Sequence, residues 1–505
     1  MAATANDNTA TATATATATE NGAYGGSLSH CLSLFCEPTR TMERDRFDQI
    51  LVGALFENPG LAMQIVFHAR DARNGKGEKR LSRWAMEHLA AFHPQTYQAN
   101  LEGFAEQYGC YKDLCELYAA DFERNASDAD ETPLLVLADA LERGVPLAAK
   151  WAPSEKSHFD SPQRGRQAAF LKKVLDKSSK EYRQMLTRGR EKANIVERLM
   201  SAGKWQDIDF SGVCAKAMRI YAKKAFPARC SERFGEWKHD VRTSVAAVKT
   251  AGLEVHDLLS GDISDTDEIQ FNAIAQTVAE SGKKRILPLI DVSASMKMMP
   301  IDKRLTAMDV AISLGILTAR VSSFGPVCMT FHSEPSLVEL DTSASLAEQR
   351  HAVANMPWGR NTDFVKALTV PLRHAIRNSI PPERFPTTIV VFSDMEFDAA
   401  GNFRVCGEHE GPRITPHEAV RGMYESHGYP LPKILYWNIA NRSSAMPVQD
   451  LDENTALVSG FSHALLEFFL RFDDSGEAFK PERFMKDAVK DYDPVIVRDE
   501  TGMLL

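Results

Sequence analysis

From Cys31 to about Lys249, apolar residues recur at helical spacing, as in Phe47, Ile50, Leu51, Ala54 and Leu55. Breakers separate such runs: Asn58-Pro59-Gly60, Asn74-Gly75-Lys76-Gly77, Gly144-Val145-Pro146 and Trp151-Ala152-Pro153. No strand alternation interrupts them, and no clean repeat period joins them. An array of paired helices is the architecture this pattern predicts. Residues 250–283 read as an Asp-rich connector with a short helix near Ile269–Ala279. After Lys283 the pattern changes to short, fully apolar runs alternating with helical ones. Arg285–Ile290, Val327–Phe331, Ser336–Leu340, Thr388–Phe392, Lys433–Ile439 and Ala456–Val458 read as strands. Leu305–Ala319, Phe364–Arg377 and Ala464–Phe469 read as helices between and after them. Buried strands separated by helices predict a largely parallel sheet covered on both faces. Pro288 lacks a ladder donor and marks a strand start or a bulge.

These patterns predict a multi-domain chain: an N-terminal all-α helical array followed by a C-terminal α/β doubly wound domain of Rossmann type. The expected divisions are a low-complexity tail (1–28), the helical domain (29–250), the connector (251–283), the α/β domain (284–475) and a C-terminal extension (476–505). The tail repeats Thr-Ala and has neither a basic nor an apolar block, so it reads as disordered rather than as a secretory signal.

Composition adds little on its own: 44% apolar and 25% charged residues are ordinary for a globular protein. No apolar stretch is long enough to span a bilayer, so no membrane partner is expected. Eight cysteines lack the spacing of a structural zinc site and read as reduced, mostly buried thiols, which points to a cytoplasmic location. The net charge of -9 conceals a division. Residues 31–163 carry about 14 Lys and Arg against about 21 Asp and Glu, whereas residues 164–249 carry about 21 against about 9. The basic segment is either a set of solvated helix faces or a footprint for a polyanion such as RNA. Its candidate contacts are Arg164, Arg166, Lys172, Lys173, Arg188, Arg190, Lys223 and Lys224.

The chemistry concentrates where the first apolar strand ends, at Asp291-Val292-Ser293-Ala294-Ser295. One carboxylate and two hydroxyls there suit a hard cation. A second apolar strand ends at Asp394, which a parallel sheet brings to the same edge, and the loop Trp358–Asp363 offers a further hydroxyl. The plain alternative is that the serines cap the following helix and no metal binds. No nucleophile elbow, H-E-x-x-H or P-loop is present, and His332, His351, His409 and His417 fall without convincing partners.

With these residues in place, residues 283–470 resemble a von Willebrand factor A domain with a metal-ion-dependent adhesion site. The resemblance implies that Asp291, Ser293, Ser295, Thr362 and Asp394 hold Mg2+, with Mn2+ or Ca2+ as alternatives, and that a partner protein supplies an acidic residue to the cation. Ala294 and Asn361 depart from the glycines frequent in that family. Three further segments, Phe67–Arg80, Tyr108–Leu114 and Lys204–Phe210, together with the Asp291 motif and Phe392–Asp398, resemble the domain-of-unknown-function 2828 family. The layout alone is similar to Ro/TROVE ribonucleoproteins, whose helical ring binds RNA. The expected function is a non-enzymatic scaffold that grips a partner carboxylate through Mg2+. An RNA-binding ribonucleoprotein component is the alternative, and a metal-dependent hydrolase using the Asp291 site is a third reading.

Overall fold

A computed structural model of the chain describes residues 28–244, 246–302, 305–331, 335–356, 364–395, 416–440, 454–472 and 479–505. The first half is helical throughout, and its helix starts follow the local chemistry. Asn58 accepts the Leu61 N–H at the head of Pro59–Arg70, where Pro59 occupies the first turn and so loses no hydrogen bond. Ser178 and Glu181 form a reciprocal capping box at the head of Ser179–Lys192, and Ser264 and Asp267 form another at Asp265–Glu280.

The second half builds a six-stranded sheet: β1 (Ile286–Asp291), β2 (Val327–Phe331), β3 (Ser336–Glu339), β4 (Thr388–Ser393), β5 (Lys433–Asn438) and β6 (Thr455–Ser459). The spatial order is β3-β2-β1-β4-β5-β6. All neighbours run parallel except β3, an antiparallel edge strand on β2. Each strand expected from the sequence is present. β1 and β4 are buried along their whole lengths, which is why they read as unbroken apolar runs. The ladder from β1 to β2 starts at Leu289, one residue past Pro288. Behind β1 lies the helix Ala307–Val321. A Cβ on its Gly315 would fall 2.4 Å from Ile290 Cδ1, so only glycine lets this helix sit so close to the strand.

The helical part and the sheet share one continuous apolar core, from Cys31 to Tyr492. Residues 251–283, read as a connector with a short helix near Ile269–Ala279, form two helices, Val255–Leu259 and the longer Asp265–Glu280, which contains the expected one. They bury Val255, Leu258, Phe271 and Ile274 in that core, and this apolar content holds them in place. The C-terminal segment is also integral. Pro481–Val489 buries Phe484, Met485 and Val489 against β6 and Pro59–Arg70, and residues 495 and 497 bond to Asn100 and Thr96. A separate satellite core gathers Phe210, Phe226, Phe234 and Trp237 within residues 196–248. Seven cysteines are free thiols among the described residues, and of these only Cys214 is exposed and Cys110 half-buried.

Candidate metal centre

Strands β1 and β4 are neighbours in the middle of the sheet, and the chain order reverses between them. In open α/β sheets such a reversal leaves a crevice at the carboxyl ends of the strands, where ligands bind. Asp291 closes β1, and Asp394 follows the last residue of β4. Both carboxylates are fully buried.

The register sets their surroundings. Ile290 pairs with Phe392, which puts Ser393 opposite Asp291. Ser393 Oγ donates to Asp291 Oδ2 at 2.7 Å, and the Ser293 N–H donates to Asp291 Oδ1 at 2.9 Å. Ser393 Oγ also accepts the N–H of Met395, whose φ of 63° turns the chain sharply after Asp394. A bulky residue in this left-handed region is strained, and the strain falls at the candidate site. Ser393 did not emerge from the sequence reading. Its only signal there is its place immediately before Asp394 at a strand end.

Ser293 occupies the N-cap position of the short helix Ala294–Met298, yet its side chain makes no capping bond. Its Oγ lies 2.9 Å from Ser295 Oγ, so the two hydroxyls stand together next to Asp291. The capping alternative therefore lacks its hydrogen bond. Burial and the negative charge of Asp394 push the Asp291 carboxyl up to about 7, against the opposing hydrogen bonds from Ser293 and Ser393. Two buried carboxylates side by side are relieved by a proton on one of them or by a cation, and the carboxylate and hydroxyl oxygens are of the kind that a hard divalent ion takes. Thr362 lies outside the described residues. Among the described residues no three His, Cys, Asp or Glu side chains converge on a metal-holding point, so the candidate rests on two carboxylates and hydroxyls.

The other half of the same sheet edge is occupied. Asn438, ending β5, donates from Nδ2 to the carbonyls of Cys36 and Glu37 at 3.0 and 3.2 Å. Ser459, ending β6, donates to the Phe35 carbonyl at 3.1 Å. Lys76, from the Gly75-Lys76-Gly77 turn, donates to Ser459 Oγ at 2.9 Å and to the same Phe35 carbonyl. The turn joins Pro59–Arg70 to Lys79–Phe92 and points its lysine inward. Burial holds Lys76 below the usual lysine range, at about 8. A serine beside such a lysine has the composition of a nucleophile and its base. Both are shut off from solvent, however, with only a small void of about 20 Å³ beside the lysine, so the pair acts as a tether.

The basic candidates do not form one open patch. Arg164 pairs with Glu116, Lys172 with Glu155 and Lys223 with Asp267. Arg190 spends its guanidinium on the carbonyls of Ala149 and Ala152 and on Ser154 Oγ. Arg166, Lys173, Arg188 and Lys224 are exposed. No helix among the described residues is long and apolar enough to cross a membrane.

Comparison with known proteins adds relatives without an assigned role. Residues 286–500 match the family model described as Domain of unknown function (DUF7788). "Uncharacterized protein L728" of Acanthamoeba polyphaga mimivirus is 29% identical over 531 residues, covering 95% of this chain and 89% of that protein. Residues 17–143 and 162–289 match the model described as Domain of unknown function (DUF2828), and with half of its length so matched the chain belongs to the DUF2828 family.

Proposed function

We propose that this protein is a non-enzymatic binding protein whose second half acts as a von Willebrand factor A-like domain. Asp291, Ser293, Ser295 and Asp394 would hold Mg2+, with Thr362 as a further ligand. The bound ion would supply a positive, oxygen-seeking centre to which a carboxylate of a partner protein adds. One observation carries the reading: two fully buried carboxylates close adjacent strands at the chain reversal, with paired serine hydroxyls beside them.

Within this reading, Ser393 positions Asp291 and Met395 turns the chain away from the site. The tethered half of the edge, at β5 and β6, leaves the β1–β4 half for the partner. The test is calorimetric titration of Mg2+ into the chelator-treated protein. One site is expected in the wild type and none in Asp291→Ala. Equal binding by both proteins removes the metal assignment. Phosphatase or nuclease turnover that depends on Asp291 replaces the scaffold reading with a hydrolase.

A further inference from the structure

A groove of about 440 Å³ runs along one face of the helix Ser179–Lys192. Glu181, Gln184, Met185, Arg188 and Lys192 line it at helical spacing, and Lys177 stands at its head. The opposite wall is apolar and comes from Leu141, Val145 and Ala149, around the turn between two earlier helices. Arg190 fixes the two walls together through the Ala149 carbonyl. Eleven residues of helical rise, from Glu181 to Lys192, make this wall of the groove about 16 Å long.

Its charge is unbalanced. Among the described residues, Lys177, Arg188 and Lys192 have no acidic group within 4.0 Å. Three neighbouring cations are paired: Lys172 and Arg183 share Glu155, and Arg198 takes Glu191. Glu181, the one acid in the lining, feels the charge of Lys177 but accepts both the N–H and the hydroxyl of Ser178 at the helix cap. Three cations without close counter-ions along one concavity repel each other unless an anion joins them. Arg188 and Lys192, one helical turn apart, stand about 6 Å from each other and suit successive charges on a linear polymer. No aromatic side chain lines the groove, so nothing there stacks a base.

We propose that this groove binds an extended chain of phosphate groups, the backbone of an unpaired nucleic-acid strand, by charge and shape without reading its sequence. The site is separate from Asp291 and independent of any cation held there. The test uses the full-length protein and fluorescence anisotropy of a labelled oligouridylate that spans the groove and, separately, of end-labelled inorganic polyphosphate. Three contacts predict a log–log salt slope of about -2. Arg188→Ala combined with Lys192→Ala is expected to weaken binding at least about tenfold at low salt and to flatten the slope. Lys204→Ala with Arg229→Ala, on the satellite core, is expected to leave binding intact. All four residues are exposed, so unchanged circular dichroism melts separate lost binding from lost fold. If polyphosphate binds through the groove and the oligonucleotide does not, the same site stands with the free polymer as its ligand. Absence of binding by either polymer at low salt, or binding that the groove variant leaves unchanged, overturns the proposal.

Discussion

At the residue scale, Ser393 decides how firmly Asp291 is aimed. Its hydroxyl holds one carboxylate oxygen and the Met395 N–H at once. Groups that orient a metal ligand commonly set affinity by ten- to a hundredfold. Ser393→Ala is expected to weaken Mg2+ about tenfold or more while leaving the stoichiometry at one, read by the same calorimetric titration. Unchanged affinity would show that the strand register alone orients Asp291. Gly75 is a second position where one atom matters. A Cβ there would lie 2.0 Å from the His68 carbonyl oxygen, so Gly75→Ala must displace the turn that carries Lys76. A loss of about 2 kcal/mol or more is expected in urea unfolding. Asp291 and Asp394 were legible in the sequence because each ends an unbroken apolar run. Ser393 was not, because its role depends on the register between strands 102 residues apart.

At the scale of elements, capping boxes and apolar runs made most helices and strands readable. The final helix was not readable as part of the core. Pro481–Val489 is short and carries charge on its outer face, so its sequence resembles a detached extension. In the structure Phe484 is fully buried among Phe468, Phe469, Phe472 and Phe479. Phe484→Ala is expected to cost about 3–5 kcal/mol, measured by denaturant unfolding, because a large cavity opens beneath β6. A loss below about 1 kcal/mol would mean that the helix is peripheral after all. The segment before β1 misled for the opposite reason. Asp265, Asp267 and Glu268 suggested a linker, but they are the acidic first turn of a helix, and Asp267 is itself buried as the capping partner of Ser264.

At the scale of the molecule, two imidazoles sit deep in the shared core. Burial, reinforced by Lys76, pushes His68 down to about 3. Burial, reinforced by Arg40, lowers His256 as well. A histidine held neutral in the folded state favours folding above its unfolded value near 6.5. That contribution is lost as the pH falls from 6.5 toward about 3, because the unfolded chain takes up protons that the folded chain refuses. By pH 5 the loss is on the order of 2 kcal/mol per histidine. It is opposed over the same range by Asp291 and Glu254, whose raised carboxyls favour the folded state as the pH falls. The histidine contribution is therefore read as the difference in thermal midpoint between variant and wild type from about pH 7 to about pH 5. His68→Gln should gain on the wild type as the pH falls, and a difference that stays constant would remove His68 as a source.

The tether at Lys76 and Ser459 also bears on how the chain is made. The helix His30–Cys36 meets its neighbour Arg44–Glu57 as soon as both leave the ribosome. The serine that grips its Phe35 carbonyl lies 424 residues further along. At typical synthesis rates that interval is tens of seconds, during which Leu32, Phe35 and the inward lysine await the strand that covers them. A nascent chain halted before β6 would therefore display a sticky amino-terminal surface, and the growing polypeptide is expected to hold a chaperone until its last hundred residues emerge.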